Sequence, residues 1–134
     1  MVFLVWQYCC YFFPVASALE MNTMKIKIGN NEYSVILNDN DTVKTLQSML
    51  PLSLKMVELN GNEKYYYLNK PLPSNPQHIR QVNSGDIMLF GNDCLVIFYK
   101  NFTTSYSYTY IGHIKDDSTL EKVLGNGNVV VTFE

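Results

Sequence analysis

Glu63 and Asp86 are the carboxylates whose setting could support general acid and base chemistry, since each stands close to a glycine turn, Gly61 and Gly85. No spacing rule brings the two together, and carboxylates beside such turns commonly bond backbone amides, so the structural role is the stronger reading. His78 and His113 lie far apart and neither belongs to a zinc-site pattern, which leaves no metal site to propose. Ser105, Ser107 and Thr109 lack the glycine-flanked elbow of a hydrolase nucleophile, and simple alternation accounts for them. No glycine-rich phosphate loop opens a helix, so no nucleotide or other cofactor is implied. Cys94 sits in the apolar run Cys94-Leu95-Val96-Ile97-Phe98, where a thiol acts as a small hydrophobe of the core.

The elements that must position these residues are mostly strands. Met24, Ile26 and Ile28 alternate with lysines, and after Gly29-Asn30-Asn31 the alternation resumes at Tyr33, Val35 and Leu37, which is a hairpin with an Asn-rich turn. Asn38 to Asp41 supply N-cap residues for a short helix through Val43, Leu46, Met49 and Leu50, stopped by Pro51. Leu52, Leu54 and Met56 return to a period of two, Asn60-Gly61 turns, and Glu63 to Leu68 reads as the next strand. Residues 69 to 84 carry Pro71, Pro73 and Pro76 and predict a surface loop with a brief turn at Ile79 to Val82. Strands follow at Ile87 to Phe90 and Cys94 to Tyr99; the second is apolar on both faces and therefore central. Tyr106, Tyr108 and Tyr110 alternate with hydroxyl residues. Asp116-Asp117-Ser118 predicts a helix N-cap, Gly125 its left-handed terminator, and Val129 to Phe133 a last strand.

About eight short strands, tight turns and two small helices make a mainly β fold, a sandwich or closed barrel, and closure would remove exposed edges. A chain of 134 residues with 47% hydrophobic content fits one domain, taken as residues 21–134, without disulfides. With 10 basic residues scattered singly against 12 acidic ones, nucleic acid is a poor partner. Residues 1–20 form an apolar leader. The stretch from Val2 to Phe13 is shorter than the ~20 residues of a stable membrane span. Ala16-Ser17-Ala18 fits a signal-peptide cleavage site, which would mean export; the missing basic n-region fits instead a misassigned start with Met21 or Met24 as the initiator, which would mean a cytoplasmic protein.

Four blocks arrive in a specific order: Asn60 to Leu68, Gly85 to Gly91, Leu95 to Lys100, and Thr104 to Gly112. Together they resemble the bacterial cyclophilin-like proteins of unassigned function, from about Met24 to the end. The resemblance implies a closed β-barrel with a helix at each end, related in shape to the cyclophilin prolyl isomerases, and it implies no established activity. In true cyclophilins an arginine of a Phe-His-Arg motif polarises the prolyl amide, near a Gln-Gly-Gly-Asp segment. Here the corresponding strand reads Lys64-Tyr65-Tyr66-Tyr67, Arg80 is the single arginine, and Gly85-Asp86 is all that matches the second motif. A lysine cannot reproduce the planar guanidinium fork, so little or no isomerase activity is expected.

The tyrosines carry the remaining functional leverage. Tyr65, Tyr66, Tyr67, Tyr106, Tyr108 and Tyr110 exceed what an ordinary core needs. Phenols at a barrel mouth would offer rings and hydrogen bonds to a ligand; paired across neighbouring strands, they would serve the sheet alone. A pocket, if built, is expected from Tyr65, Tyr67, Phe98, Tyr106 and Tyr108, with Glu63 and Arg80 supplying polarity at its rim. The expected function is a non-enzymatic binding module for a peptide or small molecule, with a divergent prolyl isomerase as the alternative and a hydrolase built on Glu63 and Asp86 last.

Overall fold

The alternation that opens the body of the chain becomes two paired strands, β1 (Thr23–Ile28) and β2 (Asn31–Leu37), with Ile26 opposite Tyr33. The computed structural model describes residues 23–134, so the leader reading lies outside the described residues. Asn40 caps helix α1 (Asp41–Ser48) by accepting a 2.8 Å bond from the Val43 amide, and Val43 and Leu46 are the face it buries. Then follow β3 (Leu52–Leu59), β4 (Glu63–Tyr67), β5 (Gln77–His78), β6 (Gln81–Val82), β7 (Asp86–Phe90), β8 (Cys94–Phe98), β9 (Phe102–Thr103) and β10 (Ser107–Ile114). Helix α2 (Leu120–Leu124) and β11 (Val129–Phe133) complete the chain. Among the described residues no helix is long and apolar enough to cross a membrane.

Eight of these strands hydrogen-bond in the order β2-β1-β11-β3-β4-β8-β7-β10, all antiparallel, and β10 pairs back onto β2 to close the barrel. Closure demands that one strand serve two neighbours at once. Gly112 of β10 lies opposite both Ile87 of β7 and Leu37 of β2, beside a register shift after Tyr110. A Cβ at Gly112 would stand 2.5 Å from the Ile36 carbonyl oxygen, so any side chain there would push β2 off the seam. Because β2 and β10 run antiparallel, α1 after the one and α2 after the other fall at opposite ends of the barrel, where Leu46, Leu120 and Leu124 join the interior.

Strand parity divides the core in two. Leu95 and Ile97 of β8 pack inside with Met24, Ile26, Met56 and Phe133, whereas Cys94, Val96 and Phe98 pack outside with Val82, Met88 and Tyr108. The proline-rich segment, expected as a loop with a turn at Ile79 to Val82, contributes the short β5 and β6 instead. Paired with β10 and β9, they lay Ile79, Val82 and Phe102 over the outer wall. The second helix also departs from expectation. Thr119, not Asp116 to Ser118, holds its N-cap position, and the Thr119 hydroxyl bonds the Tyr33 hydroxyl at 2.9 Å instead of capping. Gly125 is right-handed with φ −63°, and the left-handed turn comes at Gly127.

Candidate functional site

Three rows of outward side chains cross the barrel wall. The first runs Tyr67 of β4, Cys94 of β8, Phe90 of β7; the second Tyr65, Val96, Met88; the third Leu59 of β3, Glu63, Phe98. The small Cys94 stands between the Tyr67 and Phe90 rings and Val96 between Tyr65 and Met88, so the wall sinks at β8 into a cleft of about 280 Å³. Leu59, Asn60, Glu63, Tyr65, Tyr67, Phe90, Tyr106 and Tyr108 complete its lining. The rings brace one another: Tyr65 meets Tyr67 edge-on at 5.7 Å, and Phe90 meets Tyr106 at 5.7 Å and Tyr108 at 5.6 Å. Tyr67, Tyr106 and Phe90 nonetheless stay largely exposed, at 59%, 61% and 41%.

Electrostatically the cleft has one sign. Glu63 is only 9% exposed, and among the described residues no hydrogen-bond donor reaches its carboxyl. Burial first, and then the Glu58 carboxylate, push its pKa up to about 7. Burial likewise pushes the Cys94 thiol up to about 11 and the Tyr108 phenol to about 12, so neither is a nucleophile or base at neutral pH. No cationic side chain lines the cleft among the described residues. Lys64, next to Glu63 in sequence, has the opposite parity. It is fully buried inside the barrel, where its Nζ donates to Glu58 Oε1 at 2.7 Å and the Gly127 carbonyl at 2.6 Å and lies 5.2 Å from the Tyr99 ring centre.

Of the residues expected to form a pocket, Glu63, Tyr65, Tyr67, Tyr106 and Tyr108 come together in this cleft. The place differs from expectation, because it is the outer wall and not a barrel mouth; outward parity on β4 and β8 puts it there. Phe98 lies behind the surface, fully buried, and supports Tyr108 edge-on at 5.5 Å. Arg80 stands apart: it is exposed, with φ 69°, between β5 and β6, outside the lining. Sequence reasoning missed Phe90, Leu59 and Asn60, and took Cys94 and Val96 for core alone. The signal for Cys94, Val96 and Phe90 was their shared parity with Phe98 across the Gly91-Asn92-Asp93 turn.

Asp86 takes no part in the cleft. Its buried carboxylate accepts bonds from the Tyr110 hydroxyl at 2.5 Å, His113 Nδ1 at 2.8 Å and the Asn83 amide at 2.8 Å, which ties the start of β7 to β10. With Phe98 between it and Glu63, and its oxygens committed, a two-carboxylate hydrolase has no geometric basis. Thr109 is also structural, its Oγ1 accepting from the Asn75 amide at 2.9 Å, while Ser105, Ser107 and His78 are exposed. No group of three or more His, Cys, Asp or Glu side chains among the described residues is placed to hold a metal ion.

Comparison with known proteins agrees with the architecture. The sequence profile of the cyclophilin-like family matches residues 26–134. The solution structure of a hypothetical protein from Archaeoglobus fulgidus superposes with a TM-score of 0.57 at 18% identity, over 84% of this chain and 92% of that one, a likeness of fold. No curated protein matches.

Proposed function

Because the chain belongs to the cyclophilin-like family and bears its cleft on the outer wall of the barrel, we propose that residues 21–134 form a non-enzymatic binding module for a peptide or small molecule. The observation that carries this reading is the exposure of Tyr67, Phe90 and Tyr106 around one concavity. Large rings left in water are costly unless something covers them, and clustered ones mark binding sites. The rigid barrel supports the rings from behind through Phe98 and Tyr108, so little ordering is required on binding.

The alternative of a divergent prolyl isomerase draws no support from the geometry. Polarising a prolyl amide needs a fixed cation at the cleft, and Lys64 is turned inward while Arg80 is outside the lining. A mixed panel of apolar and aromatic fragments, titrated into the isotope-labelled protein, tests the binding reading. Amide shifts are expected to gather at Tyr65, Tyr67, Val96, Phe90 and Tyr108. Shifts gathered elsewhere, or none at millimolar fragment, would remove the cleft as the binding site.

A further inference from the structure

Resting on the cleft as a binding site, we infer that its ligand is an organic cation: a primary or methylated ammonium on an apolar stem, with the charged head against the Glu63 carboxyl and the stem among the tyrosine rings. Three observations converge on that chemistry. The first is the missing partner. Glu63 is nine-tenths buried and lines the cleft, and among the described residues no donor reaches its carboxyl, whose only way to a partner is through the cleft opening. A carboxyl serving only the fold would have been matched, as Asp86 and Glu58 are, each with three donors.

The second is the sign of the site. Among the described residues every cationic side chain is placed outside the lining, so the cleft attracts positive ligands and repels carboxylates and phosphates. The third is the lining. Four phenols and a phenyl ring share the cleft with the acid, Tyr65 one row from it and Tyr67 and Phe90 two rows away, and ring faces carry the negative quadrupole that favours ammonium groups, methylated ones included. A volume of about 280 Å³ suits one head and a short stem. The raised pKa of Glu63 agrees: an unpartnered carboxyl keeps its proton to near neutrality, and an incoming ammonium supplies what the fold does not.

The same head could come from a free amine or from a lysine side chain of a peptide. Titration of the full-length protein at pH 8, followed by NMR and calorimetry, separates the cases. The probes are hexylamine, trimethylhexylammonium, hexanol and hexanoate, with Nα-acetyl-lysine-methylamide, its Nε-trimethyl form and its Nε-acetyl form. The ammonium probes are expected to bind about tenfold or more tighter than hexanol, with hexanoate weakest. Glu63→Gln, which keeps size and loses charge, is expected to abolish the preference of the site for hexylamine over hexanol. Tighter binding of the lysine compounds than of hexylamine assigns the ligand to a peptide, and the reverse assigns it to a small amine. Equal affinity for hexanol and hexylamine, or a preference surviving in Glu63→Gln, would overturn the cation assignment and leave the cleft as a neutral site. Failure of every probe and of the fragment panel alike would overturn the binding reading itself.

Discussion

Glu63 and Lys64 are neighbours in the chain, both charged in type and both buried, and the fold treats them in opposite ways. Lys64 points into the barrel and is met by Glu58, the Gly127 carbonyl and the Tyr99 ring. Glu63 points out, into the aromatic cleft, and no hydrogen-bond donor among the described residues meets it. Interior and wall thus differ less in how dry they are than in whether the polar group has been provided for. A charge supplied with partners holds the fold together; one left without them is held open for a ligand, and the fold bears its cost.

The sharpest way to break that contrast is on the inside. Lys64→Met removes the cation and leaves Glu58 Oε1 and the Gly127 carbonyl short of a donor. Chemical denaturation is expected to report a loss of roughly 2 kcal/mol, less than for a fully buried pair because Glu58 is a quarter exposed and keeps its bonds from Tyr99 and the Gly61 amide. Stability within about 0.5 kcal/mol of the native protein would mean that the inner pair is as dispensable as a surface one.

On the wall, the matching change acts with the opposite sign. Glu63 holds a proton in the folded state up to about pH 7, against an ordinary value of 4.5, so between those values the unfolded chain ionises first and the folded state loses ground as pH rises. Stability contributed by this group is therefore whole below about pH 4.5, falls toward pH 7 and is flat beyond. The groups that feel the Glu63 charge titrate outside that window: Cys94 at about 11, Tyr108 at about 12, and Tyr99, on the inner side of the wall, driven higher still by burial. For Glu58, burial raises the pKa, but bonds from Lys64, Tyr99 and the Gly61 amide outweigh it and hold the carboxyl below its ordinary range. Its contribution is lost only at acid pH. Glu63→Gln is accordingly expected to stabilise the protein by about 1–2 kcal/mol at pH 8 and to flatten the decline between pH 5 and 7, as followed by thermal melts across pH. A decline of unchanged size in the variant would assign it to another group.

The smallest expected effect refines the comparison further. Tyr106 is mostly exposed and touches Phe90 at the rim, so Tyr106→Ala should change stability by less than about 0.5 kcal/mol while weakening whichever fragment the cleft binds several-fold. Stability lost without loss of binding would make that ring part of the sheet's packing alone.

Much of the fold was legible because the signals were local. Met24, Ile26 and Ile28 alternate, Asn60-Gly61 supplies the positive φ its turn takes, and Asn40 caps the helix it precedes. Half of the cleft was legible as well, through the excess of tyrosines. Arg80 was the failure: its type suggested a rim, but nothing local says where a proline-rich segment will lay its one guanidinium. Gly125 failed for a related reason, since a helix of five residues passes its turn on to Gly127.

By itself, the sequence determined the strand-rich class, the two short helices and the presence of more phenols than a core requires, because alternation, capping and turn chemistry are written within a few residues. The tertiary structure decided which way the segment Glu63-Lys64-Tyr65-Tyr66-Tyr67 faces. That run has no polar and apolar alternation of its own, so only its pairing with β3 and β8 turns Lys64 and Tyr66 inward and Glu63, Tyr65 and Tyr67 out. A shift of one residue in that register would exchange the inner and outer sets, moving the lysine into the cleft and the unpartnered acid into the barrel.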